Sequence, residues 1–351
     1  MSSQLLAPFR SSSAESFSSC WQSPSNIAFV KYWGKKGHQL PANPSLSMSL
    51  SECHTRTQSV FSPSEGLSVT LKLEGKERPD FALKIAQYLT SLSEELPWLK
   101  NLSVSIESSN TFPHGTGIAS SASGLSAFAL TLTDYFYKMF HINHDELFFQ
   151  RASYLSRLAS GSACRSVFGG FSTWGECHLA GSSDLFASPL EVHSNFQHLM
   201  DSVLVLSSSE KAVSSRSGHG RMESHHFAQA RFEQAKRNFE RTVSALKAGD
   251  LSEVGALLEA EALALHAMML TSPEPYILFE PNTILAMKAI WAFRKETGLP
   301  LYFTLDAGPN LHLIYPDVHH HKIQTFIGHE LSALCETIIH DRLGKGPHRC
   351  L

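Results

Sequence analysis

Apolar residues recur along this chain with two different periods. From Trp21 to about Val60 they come in short runs with β-branched residues, broken by Pro and Asn, which predicts strands and turns. Residues 66–73 (GLSVTLKL) and 101–107 (NLSVSIE) alternate apolar and polar side chains, as half-buried strands do. Phe81, Ile85, Tyr88, Leu89 and Leu92 fall at helical spacing and predict a helix over 80–92. A Gly-rich bend follows, and 119–140 reads as a long, mostly buried helix. Asn143 is placed to cap the next helix, which carries Leu147, Phe148, Ala152 and Leu155. Residues 202–207 (SVLVLS) read as a central strand. Two long helices follow over 222–247 and 251–270, the second capped by Asp250. Asn282 would cap a further helix that stops at Gly298. Residues 300–315 (PLYFTLDAGPNLHLIY) read as strand, tight turn, strand. A helix from about Asp317 and a short strand around 337–340 complete the pattern. Strands and helices mix without strict alternation, so the fold class is α+β.

The 351 residues suggest about two domains. The expected division is a loose polar tail over 1–20, one region over 21–190 and a second over 191–351, with the boundary in the Gly/Ser-rich stretch near 181–200. An apolar fraction of 42% can fill a large core, whereas 17% charged residues is low, Ser taking much of their place. Lys and Arg number 29 against 32 Asp and Glu, so no global positive field draws the chain to nucleic acid or anionic lipid. The six cysteines form no C-x-x-C pair, which argues against a zinc ribbon or a disulfide framework and suits a reduced, cytoplasmic setting. The first residues lack the pattern of a signal peptide, and no uncharged apolar run is long enough to span a bilayer.

Five segments carry candidate chemistry. In Pro113–Gly124 (PHGTGIASSASG), Gly115 and Gly117 allow a sharp bend and close approach to a ligand. The helix start beyond them offers unpaired N–H groups to an anion, and Ser120 and Ser121 add hydroxyls for phosphate oxygens or hydrated Mg²⁺. A Ser-rich capped helix without a ligand is the competing reading. In Ser160–Ser166 (SGSACRS), Arg165 can fork onto a carboxylate or phosphate, or pair with a structural acid. Cys164 beside it has no base placed near it and reads as core filling. In Asn26–Lys36 (NIAFVKYWGKK), Lys31 interrupts an apolar strand and is costly to bury without an anionic partner. Tyr32 and Lys35 lie where a second anionic group can be met, and Lys36 reads as a solvated turn residue. In Thr304–Asn310 (TLDAGPN), Asp306 ends an apolar strand and needs a cation such as Lys31 or Arg165 to stay ionised there. A turn Asp bonding its own backbone is the alternative. The stretch Ser208–Gly218 is polar, donor-rich and follows a strand. The His319–His321 run cannot converge on one ion, and no other His spacing fits a metal, so no protein-bound metal is assigned beyond one carried with a nucleotide.

In order, N-I-A-F-V-K-Y-W-G-K, P-A-N-P-S-L-S-M-S-L, N-T-F-P-H-G-T-G-I-A-S-S-A-S, G-S-A-C-R-S, V-S-S-R-S-G and D-A-G-P-N resemble the diphosphomevalonate decarboxylases, over about Ser23 to Tyr315. These belong to the galactokinase, homoserine kinase, mevalonate kinase and phosphomevalonate kinase fold group. K-Y-W-G-K and G-S-A-C-R-S are specific to the decarboxylase branch, whereas the 113–123 loop is shared more widely. The resemblance implies a two-lobed small-molecule kinase-like fold. Its N-terminal, nucleotide-binding lobe would be ribosomal protein S5 domain 2-like, its C-terminal lobe ferredoxin-like, and the substrate cleft would lie between them. It implies ATP-dependent conversion of mevalonate 5-diphosphate to isopentenyl diphosphate, ADP, phosphate and CO₂, with ATP and Mg²⁺, in a homodimer. By the same resemblance Asp306, Lys31 and Arg165 form the catalytic set. Tyr32, Lys35, Ser160, Ser162, Ser215 and Arg216 line the substrate's diphosphate and carboxylate. Ser108 and Ser109 lie near the nucleotide base, and Gly115, Gly117, Ser120 and Ser121 near its phosphates. His114 departs from the small residue the family commonly has there. The alternatives within the fold group are a mevalonate 5-phosphate decarboxylase or a mevalonate 3-kinase that stops after phosphorylation. A non-catalytic metabolite sensor would have lost Asp306 or the Ser120–Ser121 pair, and both are present.

Overall fold

The computed structural model describes residues 5–9, 15–113, 118–209, 213 and 215–350, with the side chains of Ser215 and Arg216 outside that set. The short strands expected over 21–60 are two long ones, β1 (Phe17–Val30) and β4 (Ser45–Pro63), joined through the small hairpin of β2 (Lys35–Lys36) and β3 (Leu40–Pro41). β1 and β4 pair antiparallel from Phe17↔Phe61 to Val30↔Leu46, with register shifts at Pro24/Asn26 and Ala28/Val30. Those irregularities absorb the Pro and Asn that read as strand breaks. Then follow β5 (Ser68–Leu73), β6 (Lys76–Glu77), α1 (Pro79–Leu92), β7 (Leu102–Asn110), α2 (Ser120–Met139), α3 (Phe148–Ala159), β8 (Phe171–Trp174) and β9 (Ala187–Leu190). The second half contains β10 (Leu199–Val205), α4 (Ser215–Arg221), α5 (Ala228–Ala248), α6 (Leu251–Leu270), α7 (Pro281–Thr297), β11 (Tyr302–Thr304), β12 (Leu311–Pro316), α8 (His320–Phe326), β13 (Thr337–Arg342) and β14 (His348–Arg349).

Among the described residues these strands make two main sheets. The first runs β14-β1-β4-β7-β5-β6, with β8 on β4 and β9 on β8; only β5 and β7 pair in parallel. The second is antiparallel, in the order β11-β12-β10-β13. α2 lies on β1 and β4 through hydroxyls as much as through apolar groups. Ser23 meets Ser126 at 2.6 Å, Thr55 meets Ser123 at 2.7 Å, Thr131 donates to Ser59 at 2.8 Å and Ser19 donates to Asp134 at 2.7 Å. Small hydroxyl side chains that satisfy one another let helix and sheet approach closely without an unpaired buried group, which is where much of the Ser that stands in for charge is placed. An apolar cluster joins the halves: Ile27, Phe29, Val30, Leu46 and Met48 pack with Val203, Phe239, Val243, Tyr302 and Ile314.

Three terminus and cap expectations change. The segment 1–20 is not a loose tail where it is described, because Leu6 and Phe9 are fully buried and the Phe9 ring packs at a tilt against Phe136 and Tyr137; apolar residues in a Ser-rich context still seek the core. Asn143 does not cap α3. That helix starts at Phe148, and Asp145 Oδ1 accepts the Leu147 N–H at 3.0 Å. Asn282 does not cap α7 but donates to the Leu334 carbonyl, and Thr283 Oγ1 accepts the Glu280 N–H. Asp250 does cap α6, accepting the Glu253 N–H at 3.0 Å, and Gly298 ends α7 in the left-handed conformation. The expected 222–247 helix begins only at Ala228, since His225 Nδ1 takes the Phe227 N–H after a separate turn at 222–224. The chain's last residues return to the first sheet: β14 pairs with β1 at Trp21↔Arg349, and Leu343 bridges Leu50. The 191–351 region therefore does not form one lobe alone.

Candidate active site

Lys31 leaves the end of β1 with its side chain 2% exposed. Its Nζ donates to the Ala28 carbonyl at 2.7 Å and to Asp306 Oδ1 at 2.8 Å. The carboxylate comes from the turn after β11, across the junction of the two sheets, and its side chain keeps 29% exposure. The pair thus has a dry side and an open side. Burial works to raise the Asp306 carboxyl, but Lys31 beside it, with His312 and Arg165 further out, holds it below its ordinary value. Burial pulls the Lys31 ammonium down, against the pull of Asp306 and Glu261.

The backbone on each side of the pair is pinned by residues that sequence reasoning missed. The Lys31 N–H donates to Glu261 Oε2 of α6 at 2.9 Å, and the Lys31 carbonyl accepts from Asn43 Nδ2 at 3.0 Å. Glu261 is itself fully buried and held by Arg231 at 2.7 Å and Asn238 at 2.8 Å. His266, stacked on Phe279, donates Nε2–H to the Asp306 carbonyl at 3.0 Å. Asn310 fixes the far end of the same turn, its Oδ1 accepting from the Leu206 and Ser207 amides and its Nδ2 donating to the Ser207 carbonyl. No local signal marks Glu261 or His266, since both sit inside helical runs and acquire partners only through the fold.

Arg165 lies in the 3-10 segment Gly161–Val167, buried at 3% exposure. Among the described residues it pairs with no acid: Nε donates to Ser47 Oγ and Nη1 to Ser45 Oγ at 2.7 Å, and its guanidinium lies over Trp174. Burial lowers its pKa and the Asp306 charge opposes that, so the two groups sense one another. Hydroxyls position the cation without neutralising it, which leaves its charge for an anion. Cys164 is fully buried and burial pushes its thiol up to about 12, in accord with a packing role.

Tyr32 is 9% exposed, its ring 4.6 Å from Trp174, and its hydroxyl is buried with no partner among the described residues. Gly161 admits that hydroxyl, because a Cβ there would lie 2.8 Å from it. Ser160, at the end of α3, and Ser162, in the following turn, are half-buried on the same segment as Arg165. Lys35 is half-buried in β2, while Lys36 is not a lone solvated turn residue but pairs with Asp184 at 2.8 Å. Ser215 and Arg216 open α4, and their side chains fall outside the described residues. His219 of the same helix was not foreseen. It packs against Tyr32 and Trp33, and its charge state is set by burial, then by Lys35 and Arg165.

A second group lies at the start of α2. Ser120 is half-buried and Ser121 exposed in its first turn, after Ala119 in the left-handed region at φ +49°. Gly115 and Gly117, with His114, lie outside the described residues. The Ile118 carbonyl is fixed by Ser25 Oγ of β1. Ser108 and Ser109 end β7 beside this turn: Thr55 Oγ1 contacts both Asn110 Oδ1 and Ser123 Oγ at 2.7 Å, and Ser108 Oγ lies 2.9 Å from Thr57 Oγ1. A 20-residue helix opening with exposed hydroxyls suits phosphate oxygens. Among the described residues no cluster of three or more His, Cys, Asp or Glu could hold a metal. The donors here fit a magnesium ion that arrives on nucleotide phosphates, with the hydroxyls as auxiliary oxygen ligands.

Two α+β halves packed on one another, with hydroxyls at a helix start and an acid that is paired with a lysine and within electrostatic reach of an arginine, fit an enzyme of the two-lobed small-molecule kinase type. The comparisons agree. Residues 23–187 match the diphosphomevalonate decarboxylase-like N-terminal domain, and 202–342 match the mevalonate 5-diphosphate decarboxylase C-terminal domain. The diphosphomevalonate decarboxylase of Ganoderma lucidum is 30% identical over 325 residues, covering 87% of this chain and 80% of its own; that of Candida albicans is 29% identical over 326, covering 89% and 88%. The solved mevalonate diphosphate decarboxylase of Staphylococcus aureus superposes with a TM-score of 0.83 at 27% identity, over 96% of this chain and 98% of its own. A further solved chain, MDDEF in complex with MVAPP, AMPPCP and magnesium, has a TM-score of 0.83 at 29% identity, over 95% and 99%. This chain belongs to the diphosphomevalonate decarboxylase family.

Proposed function

We propose that this chain converts mevalonate 5-diphosphate and ATP to isopentenyl diphosphate, ADP, phosphate and CO₂, with Mg²⁺ carried on the nucleotide. The observation that supports this most is the Lys31–Asp306 pair at 2.8 Å, open on one side and within electrostatic reach of Arg165, whose guanidinium is held by the Ser45 and Ser47 hydroxyls. A tertiary hydroxyl is a weak nucleophile and a poor leaving group. Asp306 orients that hydroxyl and accepts its proton as the γ-phosphoryl is transferred, ADP leaving with the bridging oxygen's electrons. Lys31 keeps the carboxylate ionised until then and balances charge near the transferred group. The C3–O bond then breaks toward phosphate. The electrons of the C–CO₂⁻ bond move in to form the alkene, and CO₂ departs. Asp306 first passes the proton it took to solvent on its open side; again a carboxylate, it favours the positive charge that grows at C3, while Arg165 holds the substrate carboxylate in line. Magnesium supplies charge neutralisation on the nucleotide phosphates.

Tyr32, Lys35, Ser160, Ser162, Ser215 and Arg216 take the diphosphate and carboxylate side of the substrate. Ser120 and Ser121, with Gly115 and Gly117, take the ATP phosphates, and Ser108 and Ser109 lie by the base. The enzyme works as a cytoplasmic homodimer, without nucleic acid or membrane as partner; no helix among the described residues is long and apolar enough to cross a bilayer. A coupled assay tests the reading by following ADP and CO₂ from mevalonate 5-diphosphate and mevalonate 5-phosphate side by side. Equimolar ADP and CO₂ from the diphosphate is expected. Preference for the monophosphate, or ADP without CO₂, contradicts it.

A further inference from the structure

The first lobe meets the second closely at Trp33–Gly34. Trp33 is seated among Met222, Leu265, Met269, Leu278 and Ala307, the last next to Asp306. Gly34 has φ +100°, and a Cβ on it would lie 2.6 Å from the Phe232 ring of α5. From the other side a Cβ on Gly218 would lie 2.6 Å from the Trp33 ring. Both glycines are thus required by the approach of the lobes, not by a turn alone. His219 completes the joint. Its Nδ1 accepts the Gly34 N–H at 3.0 Å, and its ring lies 4.3 Å from that of Tyr32 and 4.6 Å from that of Trp33. An accepting Nδ1 places the ring proton on Nε2, so the imidazole is neutral. Burial, then Lys35 and Arg165, lowers its pKa to about 3, so the acceptor persists across the working pH range.

Lys31 does not depend on this joint. Its Nζ is held by Ala28 and Asp306, its N–H by Glu261 and its carbonyl by Asn43. In the stretch beyond it, Tyr32 to Lys35, Gly34 N–H donates to His219 across the lobes, and His219 sits on the helix that carries Ser215 and Arg216. We propose that His219 is a positioning residue for substrate binding: as a neutral acceptor it clamps the Tyr32–Lys35 turn of the first lobe to α4 of the second, and so sets the spacing of the groups that receive the substrate's diphosphate. This rests on the proposed activity. It separates two tasks in one five-residue stretch, with chemistry anchored at Lys31 and affinity at the clamp.

The test compares full-length wild type with His219→Leu, which keeps bulk without an acceptor, and His219→Asn, whose Oδ1 can replace Nδ1. His219→Leu should raise KM and Kd for mevalonate 5-diphosphate about tenfold, the effect of leaving one buried donor unpaired. kcat and the KM for ATP should stay within about threefold, and His219→Asn should recover most of the affinity. An unchanged Kd in His219→Leu, a fall in kcat at constant KM, or equal defects in Asn and Leu variants of native melting temperature overturns the clamp. Titration calorimetry reads Kd without turnover. A wild type that binds mevalonate 5-diphosphate but releases no CO₂ therefore defeats the activity, while the ratio of dissociation constants still decides the clamp.

Discussion

A buried ammonium and a partly buried carboxylate are each several kcal/mol less stable than in water unless they meet, and in this chain Lys31 and Asp306 meet from residues 275 positions apart. Their cost explains why both were legible in the sequence: a charge inside an apolar run, or at the foot of a strand, demands a partner. Arg165 was legible for the same reason, although its partners are hydroxyls. Glu261, His266 and His219 were not, because a polar residue within a helix has an ordinary solvated alternative until tertiary structure removes it. Lowering of the Asp306 pKa by Lys31 has a definite sign. The ionised pair contributes stability above the unfolded carboxyl value, about 3.9, and loses it as pH falls through the lower folded value. In Lys31→Met, burial acts on Asp306 without its main opponent. The acid limb of the kcat profile should then move up by about one to three pH units, on top of a large fall in kcat; an acid limb that stays in place would show that Lys31 does not set the charge of Asp306.

Elements were legible where one period dominated. The helices over 79–92, 120–139 and 251–270 and the strand pair around Asp306 fall within a residue or two of their expected places. The long β1–β4 ribbon was not, since Pro24 and Asn26 look like breaks until register shifts accommodate them. Caps at Asn143 and Asn282 failed because the helices start elsewhere: the one at Phe148 begins after Leu147 without a side-chain cap, and the one at Pro281 begins after Glu280, whose N–H goes to Thr283 Oγ1. Among the helices α6 matters most for the site, as it presents Glu261 to Lys31 and, five residues on, His266 to Asp306. The Lys31 contact depends on the buried Arg231–Glu261 pair, 2% and 0% exposed. Arg231→Met leaves Glu261 charged and short of its main partner, and should cost about 3–5 kcal/mol in urea unfolding. A loss below about 1 kcal/mol, the scale of an exposed pair, would mean that Lys31 and Asn238 suffice to hold Glu261.

For the whole molecule, the α+β class could be read from the mixture of periods, whereas the two lobes and the cleft between them came with the family resemblance. The crossing of the chain's last residues to the first sheet could not, because β14 is two residues long and carries no pattern. β14 pairs with β1 at Trp21 and Gln22, roughly 30 Å along the strand from Lys31 at about 3.3 Å per residue. Arg349 there meets Asp134 of α2. A chain ending at residue 346 should therefore unfold a few degrees lower, while kcat on mevalonate 5-diphosphate stays within about twofold. A large loss of activity at an unchanged melting temperature would place the terminus in the cleft's workings instead.

The most direct measurement pairs substrate binding with turnover in Asp306→Asn, under saturating ATP and magnesium. Asparagine keeps the shape but cannot take the hydroxyl proton. Kd for mevalonate 5-diphosphate should remain within about threefold while ADP and CO₂ release fall together by about 10³-fold or more. Near-normal release of both products, or a loss of binding that matches the loss of turnover, would show that residue 306 is not the acid at the centre of this reaction.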